Sequence, residues 1–182
     1  MIHNFNAGPS VLPQSVFQQA ASAVINFNNT GLSILEIGRR TPGFIDLMEE
    51  ARALVKELMS LDDNHEVLFL HGGASTQFMQ VPMNLLDNKE TAAYTDTGVW
   101  GAKAIKEAAL FGKVDVVCSS KDQNYSYIPK DFAVPNDAKF LHITTNNTIY
   151  GTQWQNIPFT SNSMVADMSS DILSRKLNFN QF

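Results

Sequence analysis

The chain has 182 residues, of which 44% are hydrophobic and 17% are charged. This balance is typical of a globular protein with a sizeable core, and it excludes an intrinsically disordered chain. The formal net charge of −5, without any run of basic residues, argues against a nucleic-acid partner, which needs a positive surface to meet phosphates.

The N-terminal segment, MIHNFNAGPSVLP, has no charged stretch followed by an apolar run, so it does not predict a secretory signal. No apolar run elsewhere approaches the roughly 20 residues of a membrane-spanning helix. We therefore expect a cytoplasmic protein without a membrane partner. The single cysteine, Cys118, lies in the apolar run VDVVCSS and is expected to be a small core residue rather than a reactive thiol.

Two amphipathic helices are predicted in the first third of the chain. Apolar residues recur at helical spacing from Val16 to Ile25, and the segment NNTG ends this pattern. The stretch FIDLMEEARALVKELMSL shows the same period, with acidic residues early and Lys56 late, which suits the helix dipole. Between the two helices, LSILEIGRRTPG is predicted to be an ordered loop that carries Arg39 and Arg40.

From residue 66 onward, short apolar segments alternate with helical patterns. We predict helices over residues 74–85 and 98–111, and strands over residues 67–70, 91–95, 114–118, 139–143 and 164–167. This alternation indicates βαβ units, and hence an α/β fold with a mainly parallel sheet sandwiched by helices. Because ligands of such sheets bind beyond the carboxyl ends of the strands, the residues that follow each strand are candidate site residues.

The segment HGGAST follows the first predicted strand and opens a helix. Unpaired backbone N–H groups at the helix start, with the hydroxyls of Ser75 and Thr76, can form an anion site. A plain tight turn is the alternative. The segment is neither a Walker A loop nor a G-x-G-x-x-G fingerprint, which disfavours a nucleotide-binding protein.

Other strand ends and the first loop add further candidates. Trp100 can stack on a flat ring or cap the core. Thr148 supplies a hydroxyl within a turn-like segment, NNTIYG. Asp167 ends an apolar strand and needs a cationic or hydrogen-bonding partner, although it can equally be a helix N-cap or part of a loop salt bridge. Arg39 and Arg40 suit a carboxylate or phosphate, or form a solvated pair.

Together these candidates describe one ligand. An anion cup, an indole, a hydroxyl and a carboxylate suit a flat, phosphorylated molecule with a cationic ring nitrogen. Pyridoxal 5′-phosphate has these properties, and its ring nitrogen needs an acidic partner when the ring acts as an electron sink. The residues therefore predict a pyridoxal-phosphate site at the strand ends.

Six motifs, in this order along the chain, resemble the phosphoserine aminotransferase family of class-V aminotransferases. They are NFNAGPSVLP, EIGRRTPGF, LHGGASTQF, DTGVWGAKA, TTNNTIYGTQW and VADMSSDILSR. The resemblance covers essentially the whole chain and implies the large domain of the type I fold of pyridoxal-phosphate transferases. It implies an N-terminal arm over residues 1–15 and the N-terminal portion of the cofactor-binding domain over residues 16–182.

The resemblance also implies roles for the cofactor-binding candidates. Ala74 and Ser75 would hold the cofactor phosphate, although some family members have a basic residue at the position of Ser75. Trp100 would stack on the pyridine ring, and Thr148 would lie beside the ring hydroxyl. Asp167 would pair with the ring nitrogen.

The substrate side is implied in the same way. Arg40 would bind an acidic group of the substrate, and Arg39 stands where the family often has histidine. The implied reaction transfers an amino group between glutamate and 3-phosphohydroxypyruvate in serine biosynthesis, and some family members also act in pyridoxine biosynthesis. The family implies a homodimer with sites at the subunit interface.

This chemistry requires a lysine that forms a Schiff base with the cofactor and carries protons. In the family this lysine belongs to a Gln-Lys motif, which we expect beyond Phe182. Lys176 lies too close behind Asp167 and follows no glutamine, so it is not assigned the role. We therefore expect no catalytic residue in these 182 residues. Two alternatives stay open: another class-V aminotransferase, and a non-catalytic binding module that keeps the cofactor fold.

Overall fold

Both helices predicted in the first third of the chain are present in the computed structural model, which describes residues 2–182. Helix α1 spans Gln14–Ile25 and helix α2 spans Pro42–Met59. A proline at the start of α2 is tolerated because its missing N–H would have no partner within the helix. The loop between the helices is largely irregular and includes two 3₁₀ turns, Phe27–Asn29 and Ile34–Glu36.

The chain forms two compact units that divide between Leu68 and Phe69. No helix of the described residues is long and apolar enough to cross a membrane. The division into an arm over residues 1–15 and a domain over residues 16–182 stays a prediction.

The second unit contains two helices and six strands. The helices are α3 (Gly73–Leu85) and α4 (Val99–Ala108). The strands are β1 (Thr91–Asp96), β2 (Lys113–Ser119), β3 (Phe140–Thr144), β4 (Asn146–Asn147), β5 (Thr152–Gln153) and β6 (Ser163–Asp167).

Four of these strands form a parallel sheet in the order β2-β1-β3-β6. Strand β3 is buried along its whole length because it lies between β1 and β6. Its register places His142 opposite Val165 and Thr144 opposite Asp167. The predicted α/β fold with a mainly parallel sheet flanked by helices is confirmed.

Two apolar clusters cover the two faces of this sheet. On one face, Phe78 of α3 and Ala104 of α4 pack with Tyr94 and Phe140. Helix α4 approaches β1 closely because residue 101 is glycine, where an added Cβ would lie 2.9 Å from the backbone oxygen of Thr95. On the other face, irregular segments supply the cover, and the cluster contains the core residues Ala93, Ala138, Leu141, Ile143 and Met164.

The prediction of a strand over residues 67–70 is wrong. This segment forms no strand, and the side chains of Leu68, Phe69 and Leu70 are 69%, 50% and 60% exposed. A strand needs a paired neighbour, and the described residues offer this segment none. The short antiparallel pair of β4 and β5 was not predicted, because two residues per strand are too few to show a pattern.

One core position of β3 is a histidine rather than an apolar residue. His142 is 4% exposed and its ring stacks on that of Tyr94, with 4.8 Å between the centroids. Removal from water lowers the pKa of His142 to about 4, although the nearby charge of Asp167 acts in the opposite direction. The histidine is therefore neutral in the folded protein at neutral pH.

Truncation of a sheet residue at the core should be far more costly than truncation of the same residue type at the surface. Phe140 is 1% exposed and Phe159 is 98% exposed. We expect Phe140→Ala to lower the free energy of unfolding by about 3–5 kcal/mol, and Phe159→Ala to change it by less than about 0.5 kcal/mol. Urea denaturation followed by circular dichroism measures both. Equal effects would contradict the observed packing.

The buried histidine should make stability depend on pH. The pKa of His142 is about 4 in the folded state, against about 6.5 for an exposed histidine. Between these values the unfolded chain binds the extra proton, so the free energy of unfolding falls as the pH falls through this window, by about 3 kcal/mol in all. The lowered pKa values of the carboxyls of Asp62 and Glu90 also make stability fall with pH, and that of Glu90 overlaps the acidic end of this window.

Denaturation at a series of pH values tests this expectation. The variant His142→Phe should show a flatter profile, whereas His71→Phe, at an exposed position, should keep the slope of the parent chain. A parent profile that is already flat between about pH 6.5 and about pH 4.5 would show that His142 is not held neutral.

Candidate functional site

The four parallel strands end at the same edge of the sheet, as the sequence predicted, and a cavity of about 320 Å³ opens there. Helix α3 contributes Ala74 and Phe78 to its wall, and β6 contributes Asp167. Tyr94 and His142 line it from β1 and β3. Two predicted cofactor residues, Ala74 and Asp167, are therefore brought together around one space.

The first turn of α3 offers backbone donors. Gly72 occupies the N-cap position with φ +97° and no side chain caps the helix, so the first N–H groups of α3 have no partner inside the helix. A side chain at Gly72 would overlap Thr76, whose hydroxyl donates to the Gly72 carbonyl at 2.8 Å. Because the Thr76 hydroxyl proton is used in that bond, it is not available to donate to a ligand. The exposed hydroxyl of Ser75 remains beside the helix start.

Trp100 and Thr148 contact each other. The indole Nε1–H of Trp100 donates to Thr148 Oγ1 at 3.3 Å, across 48 residues of sequence. Trp100 is half-buried and packs against the core cluster beneath α4, so it meets the core and the surface at once. The Nζ of Lys103 lies 4.6 Å from the centroid of the indole ring. The structure thus joins these two predicted residues, although neither lines the cavity itself.

Asp167 ends β6 with one oxygen already hydrogen-bonded. Its Oδ1 accepts from the backbone N–H of Ser169 at 3.1 Å and from the Ser169 hydroxyl at 2.6 Å. These bonds form a local turn, which differs from both alternatives that the sequence left open, a helix N-cap and a loop salt bridge. Among the described residues, however, no lysine or arginine forms an ion pair with Asp167, so its charge has no cationic partner within residues 2–182.

A buried carboxylate close in sequence, that of Asp171, fixes the loops around Asp167. Asp171 is 4% exposed and accepts from Thr145 Oγ1 at 2.5 Å and from Gln153 Nε2 at 3.1 Å. Thr145 Oγ1 also lies 3.1 Å from the carbonyl of Asp167. These bonds tie the end of β3 to the end of β6 and hold the Asp167 backbone in place.

The end of β1 carries a further carboxylate that the sequence did not single out. Asp96 Oδ2 accepts from Ser119 Oγ at 2.9 Å and lies 3.4 Å from the hydroxyl of Tyr125. Burial, together with the charge of Asp96, raises the pKa of Tyr125 to about 12 and also that of the Cys118 thiol to about 12. Cys118 therefore stays protonated at neutral pH, which fits a packed residue rather than a nucleophile.

Arg39 and Arg40 lie in the first unit, and the residues lining the cavity do not include them. Both side chains are exposed. Neither forms an ion pair within residues 2–182. Their role in substrate binding stays a prediction.

The sequence missed His142, Tyr94 and Gln77 as residues of the cavity wall. Gln77 had a usable signal, since it lies one helical turn after Gly73 and so faces the same side as the start of α3. His142 gave a weaker one, as a polar residue inside an apolar strand. Tyr94 gave none, because a tyrosine in a buried strand is typical of an ordinary core.

Comparison with known proteins relates this geometry to a family. The family model for class-V aminotransferases matches residues 2–182. A phosphoserine aminotransferase of Flavobacterium johnsoniae is 54% identical over 181 residues, which are 99% of this chain and 51% of that protein.

Solved structures give the same relation. Phosphoserine aminotransferase from Bacillus circulans subsp. alkalophilus matches with a TM-score of 0.94 and 42% identity, over 98% of this chain and 50% of that chain. The pyridoxal-phosphate-bound enzyme from Trichomonas vaginalis matches with a TM-score of 0.89 and 30% identity, over 96% of this chain and 53% of that chain. The chain spans about half the length of the relatives it matches. On its sequence and its fold, it belongs to the class-V aminotransferase family.

Proposed function

We propose that this chain supplies the cofactor-binding part of a phosphoserine aminotransferase, which transfers an amino group between glutamate and 3-phosphohydroxypyruvate in serine biosynthesis. The observation that carries the proposal is the cavity bounded by the uncapped start of α3 and by Asp167. Relatives named phosphoserine aminotransferase, about half identical to this chain, support this choice of reaction over that of other class-V aminotransferases.

The chemistry of the cavity fits pyridoxal 5′-phosphate. The first turn of α3 suits a phosphate, because the helix start is electropositive and its N–H groups have no partner inside the helix. The hydroxyl of Ser75 adds a further hydrogen-bond donor beside them. Asp167 lacks a cationic partner among the described residues and suits a protonated ring nitrogen. When bound, the cofactor supplies an electron sink for the α-carbon of the amino acid. Asp167 keeps the proton on the ring nitrogen, which makes that sink effective.

Trp100 and Thr148 complete the proposed cofactor site. The indole offers a flat apolar surface on which the ring can stack. Its hydrogen bond to Thr148 fixes the plane of the indole and also holds the threonine hydroxyl near that plane. Thr148 is exposed, so its remaining hydrogen-bonding capacity is accessible to the ring hydroxyl.

The proposed substrates are anionic, and the family resemblance implies cationic partners for them in Arg40 and Arg39. Arg40 binds an acidic group of the substrate, and Arg39 adds a second guanidinium next to it. Both side chains are exposed, and neither forms an ion pair within residues 2–182. We extend the proposal to a related phosphorylated substrate in pyridoxine biosynthesis, to a homodimer and to a cytoplasmic location, as the family resemblance implies.

We further propose that these 182 residues have no transaminase activity by themselves. Within residues 2–182, the wall of the cavity contains no lysine. Lys176 has an exposed side chain and is likewise not part of that wall. A lysine must reach the cofactor to bind it covalently and to carry protons. In this proposal the described residues of the cavity wall bind and orient the cofactor, and no lysine among them carries protons for it.

Loss of the Asp167 charge should weaken cofactor binding. We expect Asp167→Asn to raise the dissociation constant of pyridoxal phosphate by about 10–100-fold, because a charge-assisted hydrogen bond is lost. Quenching of tryptophan fluorescence measures the constant. Asp115→Asn removes the same charge at an exposed position of β2 and should leave binding unchanged. Equal binding by the parent chain and Asp167→Asn would contradict the proposed site.

Covalent trapping tests the absence of the catalytic lysine. After incubation of the chain with pyridoxal phosphate and reduction with borohydride, peptide mass spectrometry should find only minor, scattered modification of surface lysines. The expectation follows from the lack of a lysine in the cavity wall. A stoichiometric adduct at a single lysine, Lys176 included, would show that this chain carries its own catalytic group.

A further inference from the structure

The imidazole of His142 is buried beside Asp167 without a role in the site as described so far. The side chain is 4% exposed and lines the same cavity as Asp167. Its Nδ1 is buried and has no hydrogen-bond partner among the described residues. A buried polar atom without a partner destabilises a fold, so the presence of a polar residue at this position needs an explanation.

The register of the sheet places the two side chains on the same face. In a parallel pair, alternate residues share a face, so His142 and Thr144 of β3 point the same way as Val165 and Asp167 of β6. His142 is two residues before the position opposite Asp167, which is about 7 Å along the strand. One water molecule can span the gap that remains between an imidazole and a carboxylate that both reach into the cavity.

The surroundings of His142 leave it one charged neighbour. Its ring stacks on Tyr94 at 4.8 Å and meets the edge of Phe78 at 6.2 Å between centroids. The remaining wall near it comes from α3, which contributes Gln77 as its polar side chain. Asp167 of β6 carries the only charge that lines the cavity within residues 2–182, and the Tyr94 hydroxyl is the other titratable group.

We propose that His142 is a positioning residue for Asp167, with its neutral imidazole linked to the carboxylate through one ordered water in the cavity. The space of about 320 Å³ is large enough for a water, and its wall offers polar partners in His142, Asp167 and Gln77. Ser169 fixes Oδ1 of Asp167 from the loop side. The link from His142 restrains the carboxylate from the sheet side, so that it points at the cationic nitrogen of a bound ring.

This role rests on the proposed function, because it assigns His142 a task within the cofactor site. The stacking of the imidazole between aromatic rings fixes its plane, which suits a group that orients another. Burial also keeps the imidazole neutral, with a pKa of about 4, so one ring nitrogen donates and the other accepts throughout the physiological range.

Nuclear magnetic resonance of the imidazole nitrogens tests the link without any cofactor. The chain has four histidines, and His142→Phe identifies the signals of His142. We expect Asp167→Asn to shift the ring nitrogens of His142 and to leave those of His3, His65 and His71 in place. Asp62 provides a matched control, because its Oδ1 lies 2.7 Å from His65 Nδ1 and Asp62→Asn should move only His65. The proposal would be overturned if Asp167→Asn leaves the His142 signals unshifted while Asp62→Asn does shift those of His65.

A double-mutant cycle on pyridoxal-phosphate affinity tests the positioning role. Loss of a residue that orients a binding group typically costs 10–100-fold in affinity, so we expect His142→Phe to weaken binding about tenfold and His142→Gln to recover part of it. In the Asp167→Asn background, His142→Phe should cost less than about twofold, because the group that it positions is already altered.

The outcomes separate this inference from the proposed function. If His142→Phe weakens binding by the same factor with and without Asp167→Asn, the two residues act independently. That result would overturn the role of His142 and leave the proposed cofactor site in place. No effect of Asp167→Asn on binding would overturn the proposed site, and the nitrogen spectra would then decide the link by themselves. If His142→Phe does not fold, His142→Gln takes its place in the cycle, and a loss unaffected by Asp167→Asn would again count against the proposal.

Discussion

The parallel pairing of β3 with β1 on one side and β6 on the other is the constraint on which the site depends. Because these strands run in one direction, their carboxyl ends meet at one edge, and the register sets Asp167 directly opposite Thr144. Asp171 then bonds to Thr145 and prevents the two strand ends from separating. A slip of one residue would turn Asp167 to the other face of the sheet and remove it from the cavity.

The cavity combines two opposite electrostatic environments within a small volume. At one end, the first turn of α3 presents N–H donors and the positive end of a helix dipole. Asp167 presents a negative charge in the same wall, which also contains the aromatic rings of Phe78, Tyr94 and His142. Such a wall is complementary to a rigid ligand whose own charges are separated in the reverse order. A wall of this kind favours one orientation of such a ligand over the reverse.

Sequence patterns predicted those features that depend on local composition. Strands β1, β2, β3 and β6 were found because continuous apolar runs are typical of strands buried in a parallel sheet. The segment over residues 67–70 has the same composition but forms no strand, because pairing depends on a neighbour and not on the segment itself. Asp167, which lines the cavity, was singled out from its place at a strand end. His142 was not, because its place in the cavity wall depends on the strand beside it.

The contact between Lys103 and Trp100 has a stereochemical consequence. The ammonium group lies over the indole at 4.6 Å, while the indole N–H is held by Thr148 at 3.3 Å. The cation thus covers one face of the indole, and a planar molecule can stack on this tryptophan only where Lys103 leaves a face open. Lys103 therefore restricts the directions from which a flat ligand can approach the ring.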